Sequence, residues 1–520
     1  MSSMQSSLQL IESLQRPEVW PEGVAAVTLI ETHISWVLLT GESAFKIRKP
    51  VDLGFLDFST LARRDHCAHE EIRLNRRFAP EIYQDVVRIT GSAEEPTFNG
   101  QGTLIEVAVR MRQFDPSRQL DEELLAGRLT AEDMVAVADE VARFQLQAPR
   151  SEAADDYGTP AAVLAPVREN FIQLRSAGAD LEALEPMLEP LEAVSEQWAD
   201  GLAELLVERR AAGFIREGHG DLHLANLTRL PEGIRAFDCI EFSPELRWID
   251  VVCDLAFLFM DLSMKGRPDL AWVLLNAWLV RSGDYRGVAL LRFYVLYRAL
   301  VRAKVAALRR SQLAGKEREH FEQELFAYLD LARATAEDMR TRLILTCGVS
   351  GSGKSWLGAR LAAAEGWVHI RSDVERKRLF GLRPEERSGS EHDAGIYGPG
   401  TSELTYRHLL DTTATVLAAG HSVLVDATFL RRSQREPFIE LAQRRNVPMS
   451  VLYFTCARET LHERVRKRRL ERRDASEADE TVLAEQLQHI EIPAAEEGVA
   501  VIEVDSGASQ DLRDIAARLD

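Results

Sequence analysis

Cysteine is scarce in this chain. There are five in 520 residues (Cys67, Cys239, Cys253, Cys347 and Cys456), scattered, odd in number and without a Cys-x-x-Cys pair. That argues against a disulfide framework or a thiolate zinc site and suits a reducing compartment. Long apolar runs are also missing. Nothing uncharged approaches the ~18–20 residues that span a bilayer, and the closest stretch, 251–262, is interrupted by Asp254 and Asp261. The polar N-terminus lacks the basic-then-apolar pattern of a signal peptide. A cytoplasmic protein with no membrane partner is the expectation. Positive charge is in deficit, with 63 Lys and Arg against 82 Asp and Glu for a formal net charge of −19. Most of that excess, −16, sits in the first 340 residues. An acidic domain of this kind disfavours generic binding to DNA or anionic membranes and tolerates a cationic or neutral substrate. No internal repeat or low-complexity tract is present.

What remains is a chain long enough for two or three globular domains. Residues 24–31, 35–40 and 44–48 read as short strands separated by turn-like pairs, and 63–78 as a charged amphipathic helix. Strand character returns at 103–114. Residues 121–210 and 269–339 are rich in Ala, Leu and Glu at helical spacing. A small β-rich part followed by a large α-rich part predicts a two-lobed α+β domain over residues 1–338. The pattern then changes. Apolar strands at 343–347, 367–370, 422–425, 450–454 and 499–504 alternate with helices. Residues 339–520 therefore read as an α/β domain with a parallel sheet.

The first domain carries His219-Gly220-Asp221-Leu222-His223-Leu224-Ala225-Asn226. An Asp followed five positions later by an Asn is the spacing of a kinase catalytic loop. A carboxylate there can accept a hydroxyl proton beside the transferring phosphoryl, and an amide oxygen on the same loop can hold a magnesium ion. Further on, 234–238 reads as a strand ending in Asp238, the place for a second, metal-binding carboxylate. Upstream, Lys46 lies on a predicted strand and Glu71 on the helix after it, as the phosphate-binding lysine and its acidic partner should. Lys49 and Glu70 are the competitors.

The second domain carries Gly348-Val349-Ser350-Gly351-Ser352-Gly353-Lys354-Ser355, a full match to Gly-x4-Gly-Lys-Ser between an apolar strand and a helix. Glycines let backbone N–H groups curl around phosphates, and the helix N-terminus adds a favourable dipole. Lys354 would reach the β- and γ-phosphates, and Ser355 would bind magnesium. Asp373 ends the next strand, where a carboxylate can take a proton from an acceptor hydroxyl, and Arg376 follows three residues on. Asp426 closes an apolar strand in a Walker-B-like position. The run 464–473 holds seven Lys or Arg in ten residues. It is either a lid over the transferring charge, a solvated helix face or a nucleic-acid patch.

With these motifs, residues ~20–310 resemble the aminoglycoside phosphotransferase-like branch of the protein-kinase-like fold. The resemblance implies Asp221 as catalytic base, Asn226 and Asp238 as magnesium ligands, Lys46 and Glu71 at the nucleotide, Asp254 as a partner of the catalytic loop, and 111–114 as the hinge beside adenine. There are departures. No Gly-x-Gly-x-x-Gly loop precedes Lys46. Asp238-Cys239-Ile240 stands for Asp-Phe-Gly, which argues against a mobile activation switch. Phe144-Gln145 stands where relatives often place Phe-His. Residues 341–520 resemble the AAA-type P-loop kinases related to zeta toxins, gluconate kinases and polynucleotide kinases. That resemblance implies Asp373 as base, Arg376 on acceptor or phosphate, and Arg469 and Arg473 in the lid, whose Asp474-Ala475-Ser476-Glu477 ending is similar to the family's Asp-Pro-Ser-Asp. The order of the two halves resembles a bacterial family of bifunctional aminoglycoside phosphotransferase/ATP-binding proteins. It implies a bifunctional kinase using ATP and Mg2+ on small-molecule hydroxyls: a sugar, aminocyclitol, nucleotide sugar or nucleoside. Two other readings stay open: a regulatory nucleotide-sensing half, or a P-loop half acting on polynucleotides or as a toxin-type kinase.

Overall fold

Side-chain direction along β3 (Ser43–Arg48), where every residue but Lys46 is buried, organises the first sheet. Successive side chains point to opposite faces, so Phe45 and Ile47 enter the apolar core while Lys46 faces the other way. A computed structural model describes residues 3–20, 23–52, 56–337, 340–389, 395–471, 475–508 and 511–519. In it β3 is an inner strand of a six-stranded antiparallel sheet. The others are β1 (Thr28–Glu31), β2 (Ser35–Leu39), β4 (Tyr83–Gly91), β5 (Pro96–Phe98) and β6 (Leu104–Arg112), in the order β1-β2-β3-β6-β4-β5. Lys46 is thereby registered between Val37 of β2 and Val109 of β6. The Phe45 side is closed by Leu10, Ile11 and Leu14 of an N-terminal helix, Ser3–Leu14, together with Trp20.

The sheet belongs to one of two units into which the chain divides: Met1–Leu129, Arg143–Pro166 and Ala203–Leu258 in the first, Thr130–Ala142, Val167–Leu202 and Phe259–Asp520 in the second. In the first unit, the Leu61–Asn75 helix starts on Thr60, whose side chain accepts from the Arg63 N–H, and it buries Glu71. Two small ribbons follow, β7 (Ile215–Glu217) with β10 (Trp248–Asp250) and β8 (Leu227–Leu230) with β9 (Gly233–Ala236). The His219–Asn226 loop joins β7 to β8. Gly220 has φ +85°, and a Cβ there would lie 2.8 Å from the Leu246 carbonyl oxygen, so only glycine serves.

In the second unit, the Leu291–Gln312 and Gly315–Ala336 helices pair across a two-residue link, burying Phe293, Leu300, Leu325 and Leu329. From Leu343 onward the unit is a P-loop α/β fold. Its strands are β11 (Leu343–Cys347), β12 (Val368–Arg371), β13 (Val423–Asp426), β14 (Met449–Thr455) and β15 (Ala500–Asp505), all parallel, in the order β12-β13-β11-β14-β15. Every residue of β11 is buried, as a parallel strand covered on both faces requires. Leu357 and Leu361 of the Lys354–Glu365 helix pack on Ile344, Leu424 and Leu452. From β11 the chain runs on to β12 on one side of the sheet and from its neighbour β14 to β15 on the other, and the crevice at the carboxyl ends of such strands is where ligands bind. Among the described residues, no helix is long and apolar enough to cross a membrane.

Candidate active sites

In the first unit, three predicted residues meet at one ammonium group. Lys46 Nζ lies 3.0 Å from Glu71 Oε1 and 2.5 Å from Asp238 Oδ1. Burial works against the Lys46 charge, but Asp238, Glu71 and Glu241 outweigh it and raise its pKa. Burial would raise the Asp238 carboxyl, and Lys46 holds it below its usual range. Arg48, buried next along β3, pairs with the other oxygen of Glu71 and with Glu241 at 2.7 Å. Lys49 and Glu70 are engaged elsewhere. Lys49 pairs with Glu31 at 2.5 Å, and Glu70 with Arg73 at 2.8 Å.

The His219–Asn226 loop is tied down from beneath. The Asp254 carboxylate, 2 % exposed, accepts from the backbone N–H of His219 at 2.7 Å and of Gly220 at 2.8 Å. His219 is fully buried, and burial keeps its pKa low and its ring neutral. Its Nε2–H donates to the Phe237 carbonyl at 2.9 Å while Nδ1 accepts the Asp221 N–H at 3.3 Å. Asn226 Nδ2 donates to the Asp221 carbonyl and to its carboxylate, at 2.9 and 3.2 Å, which leaves the amide oxygen as the group able to meet a cation. His223 Nε2 stands 3.4 Å from Asp221 Oδ2, with its ring edge-on to Phe257. Asp238 adopts φ 62°, a strained backbone for a non-glycine residue. Its N–H donates to the Tyr83 hydroxyl at 3.0 Å, and the next N–H, of Cys239, donates to Asn75 Oδ1 at 2.8 Å. In place of the frequent Phe-His pair, Phe144 stacks on Phe78 and Gln145 donates to the Val251 carbonyl. Asp221, Asn226 and Asp238 offer carboxylate and amide oxygens, the hard donors that magnesium takes.

In the second unit, Gly348, Ser350, Gly351, Ser352, Gly353, Lys354 and Ser355 form the turn from β11 into a helix, with Gly353 at φ +86° as its N-cap. Lys354 Nζ folds back on its own loop, donating to the Val349 carbonyl at 2.8 Å and standing 3.4 Å from Ser352 Oγ. Burial lowers its pKa against the pull of Asp426 and Asp373. A cavity of about 900 Å3 opens here and is lined by Ser355, Asp373, Arg376 and Asp426, so the strand ends converge on the loop as their spacing implied. Asp426 is buried. Burial would raise it, but His369 Nε2, 3.5 Å away, and the charges of Arg371 and Lys354 keep it ionised far into acid. Its carboxylate and the Ser355 hydroxyl are again hard oxygen donors suited to magnesium. Arg376 Nη1 donates to the Ile396 carbonyl at 3.0 Å and lies 3.4 Å from Ser402 Oγ.

The lid is described in part. Arg469 lies on the Arg458–Glu471 helix, and its side chain falls outside the described residues, as does Arg473 altogether. Two other arginines of that helix, Arg464 and Arg468, line the cavity. Arg464 bridges to the Ser506 hydroxyl at 2.9 Å and the Ser506 carbonyl at 2.8 Å. Both belong to the basic run 464–473 expected as a lid, within which Arg469 and Arg473 were singled out, although i, i+4 spacing puts Arg464 and Arg468 on one helix face. Sequence reasoning passed over Gln486, on the Glu480–His489 helix, whose Oε1 accepts the Ser350 N–H. Nothing local marks that glutamine. Glu477 of the lid ending pairs with Lys377 at 3.1 Å.

The AAA_33 family, described as an AAA domain, matches residues 343–493. The uncharacterized protein Rv2004c of Mycobacterium tuberculosis (strain ATCC 25618 / H37Rv) is 34% identical over 400 residues, 77% of this chain and 78% of that protein. Mb2027c of Mycobacterium bovis matches over the same lengths at the same identity. Among solved structures, a gluconokinase from Sinorhizobium meliloti 1021 covers 35% of this chain and 90% of its own, at 23% identity and a TM-score of 0.25. A choline kinase from Cryptosporidium parvum Iowa II covers 64% of this chain and 96% of its own, at 12% identity and a TM-score of 0.39.

Proposed function

This chain belongs to the family of the mycobacterial protein Rv2004c, and we propose that it is a bifunctional ATP-dependent phosphotransferase, with one Mg-ATP site in residues 1–338 and another in 339–520, each acting on a small-molecule hydroxyl. A kinase-like fold and a P-loop kinase domain support phosphotransfer as such. The observation that carries the two-site reading is the duplication of one chemical set. Lys46 with Asp221, Asn226 and Asp238, and Lys354 with Asp373, Ser355 and Asp426, each gather a lysine, a carboxylate fit to be a base, and oxygen ligands.

In the first site, Lys46 binds the α- and β-phosphates, held in place by Glu71. Asp221 orients the acceptor hydroxyl and accepts its proton as the oxygen attacks the γ-phosphorus and ADP departs with the bridging oxygen. Asn226 and Asp238 hold the metal. In the second site, the loop N–H groups and Lys354 cradle the phosphates, Asp373 serves as base, Arg376 binds the acceptor or the transferring group, and Ser355 and Asp426 hold the metal. Arg464, Arg468, Arg469 and Arg473 are the lid cations. Magnesium supplies charge neutralisation on the phosphate oxygens in both. Positioning and preorganised charge do the rest. The relatives named for gluconate and choline are small-molecule kinases, which supports acceptors of that size over nucleic acid. The cytoplasm is the proposed location.

The test is a metabolite extract supplied with ATP, followed by mass spectrometry of phosphorylated products. Asp221→Ala is expected to erase one product and Asp373→Ala another. If either substitution leaves every ATP-dependent product in place, that half is no kinase.

A further inference from the structure

The short Ser372–Leu379 helix carries both Asp373 and Arg376. Eight residues are too few to hold a helix by themselves, so something must aim it. Three of the fastenings on this helix and on β12 before it come from one upstream stretch, residues 276–285, beside those from Ile396, His408 and Glu477.

The first fastening is on the strand. Among the described residues β12 is an edge strand, with β13 its only neighbour in the sheet. On its open side, Asn276 Nδ2 donates to the Trp367 carbonyl at 3.0 Å and Asn276 Oδ1 accepts the His369 N–H at 2.8 Å. The side-chain amide thus stands in for one residue of a neighbouring strand and closes an edge otherwise exposed. The second fastening is on the helix end. Arg378 Nη2 donates to the carbonyls of Leu279 and Val280, at 3.1 and 2.7 Å, in the last turn of the Pro268–Ser282 helix. A Cβ on Gly283 would lie 2.5 Å from Arg378 Nη1, so the approach needs glycine there. The third is between the catalytic residues themselves. Glu375 is fully buried, and its Oε1 accepts the Tyr285 hydroxyl at 2.9 Å while Oε2 faces His408 Nε2 and Arg378 Nε, each at 3.1 Å.

We infer that residues 276–285 are a positioning element of the phosphate-loop site, and that Tyr285, acting through Glu375, holds Asp373 and Arg376 on their bearing toward the loop. Both oxygens of the Glu375 carboxylate are engaged, Oε1 by Tyr285 and Oε2 by His408 and Arg378. Tyr285 comes from the sequence expected to belong to the first kinase, yet it serves the second. The inference rests on the reading of Asp373 as that site's base. Burial raises the Glu375 carboxyl, and His408, Arg378 and Tyr285 together bring it below its usual range. Loss of the Tyr285 hydroxyl therefore lets Glu375 take a proton at a higher pH.

The experiment uses the full chain with Asp221→Ala to silence the first site, and ATP alone, with water as acceptor. The water oxygen bonds to the γ-phosphorus as the bond to ADP breaks, and the proton passes to Asp373. ADP release is followed against ATP concentration and pH. Tyr285→Phe is expected to lower kcat about tenfold while the ATP KM stays within about twofold, as a misaimed base does, and to move the acid limb of the pH profile upward. An unchanged kcat and acid limb would overturn the inference. Asp373→Ala, run alongside, separates the two levels. If it leaves ADP release untouched, the reading of the site fails. If it abolishes release while Tyr285→Phe changes nothing, the positioning role alone fails. Should Tyr285→Phe not fold, Asn276→Ala is read in its place. A drop in kcat at constant KM supports the role and an unchanged kcat removes it.

Discussion

The side-chain oxygen of Gln486 accepts the backbone N–H of Ser350 at 2.7 Å. It ties the helix that follows the arginine-rich lid to the third residue of the phosphate loop. A neutral hydrogen bond of this kind contributes about 1 kcal/mol. Gln486→Leu is expected to weaken ATP binding at the phosphate loop about fivefold, measured by titration calorimetry in a Lys46→Ala background. Unchanged affinity would mean the contact does not outlast nucleotide entry.

Asp254 holds the His219–Asn226 loop by two charge-assisted bonds to successive N–H groups, those of His219 and Gly220. A buried carboxylate in that setting contributes about 2–3 kcal/mol. Asp254→Ala is expected to lower the urea midpoint accordingly and to erase the Asp221-dependent product while sparing the Asp373-dependent one. Loss of both products would show that the variant fails to fold.

His421 provides a pH handle on stability. It is buried near Trp272, and burial together with the Arg292 charge depresses it to about 4. A histidine that refuses its proton when folded contributes stability above the unfolded pKa of about 6.5, and loses it as pH falls toward 4. Between pH 7 and 5 that loss is about 2 kcal/mol. Denaturant midpoints of the parent should fall more steeply over this interval than those of His421→Asn. Parallel slopes would contradict the assignment.

The cysteines differ in access. Cys67 and Cys347 are buried, and burial pushes both up to about 11, leaving about one thiolate in a thousand at pH 8. Cys456, half-buried at the end of β14 with its sulfur 3.7 Å from Arg464, is the open one. Brief iodoacetamide treatment at pH 8 is expected to label Cys456 first by peptide mass spectrometry, and ATP to slow that labelling. Equal labelling of Cys67 and Cys347 would place those side chains at the surface.

How legible the molecule was in its sequence follows from which contacts are local. The phosphate loop reads directly, because its glycines and its lysine answer to one curl of backbone. The Asp221–Asn226 spacing reads for the same reason, since both residues sit on one loop. β2, β3, β6 and all five strands of the parallel sheet fall within a few residues of their expected ranges. β4 and β5 were not anticipated, nor was the Ser3–Leu14 helix, whose core side chains Leu10, Ile11 and Leu14 are diluted by polar neighbours. Gln486, Asn276 and Tyr285 were invisible for a stronger reason. Each acts on a residue some 90 or more positions away, and nothing in its own neighbourhood marks it.

The central claim is two nucleotide sites in one chain, and equilibrium dialysis of the full chain against Mg-ATP tests it most directly. The account predicts two ATP bound per chain, falling to one in Lys46→Ala, to one in Lys354→Ala and to none in the double variant. A single bound ATP that vanishes with Lys354→Ala and ignores Lys46→Ala would contradict it.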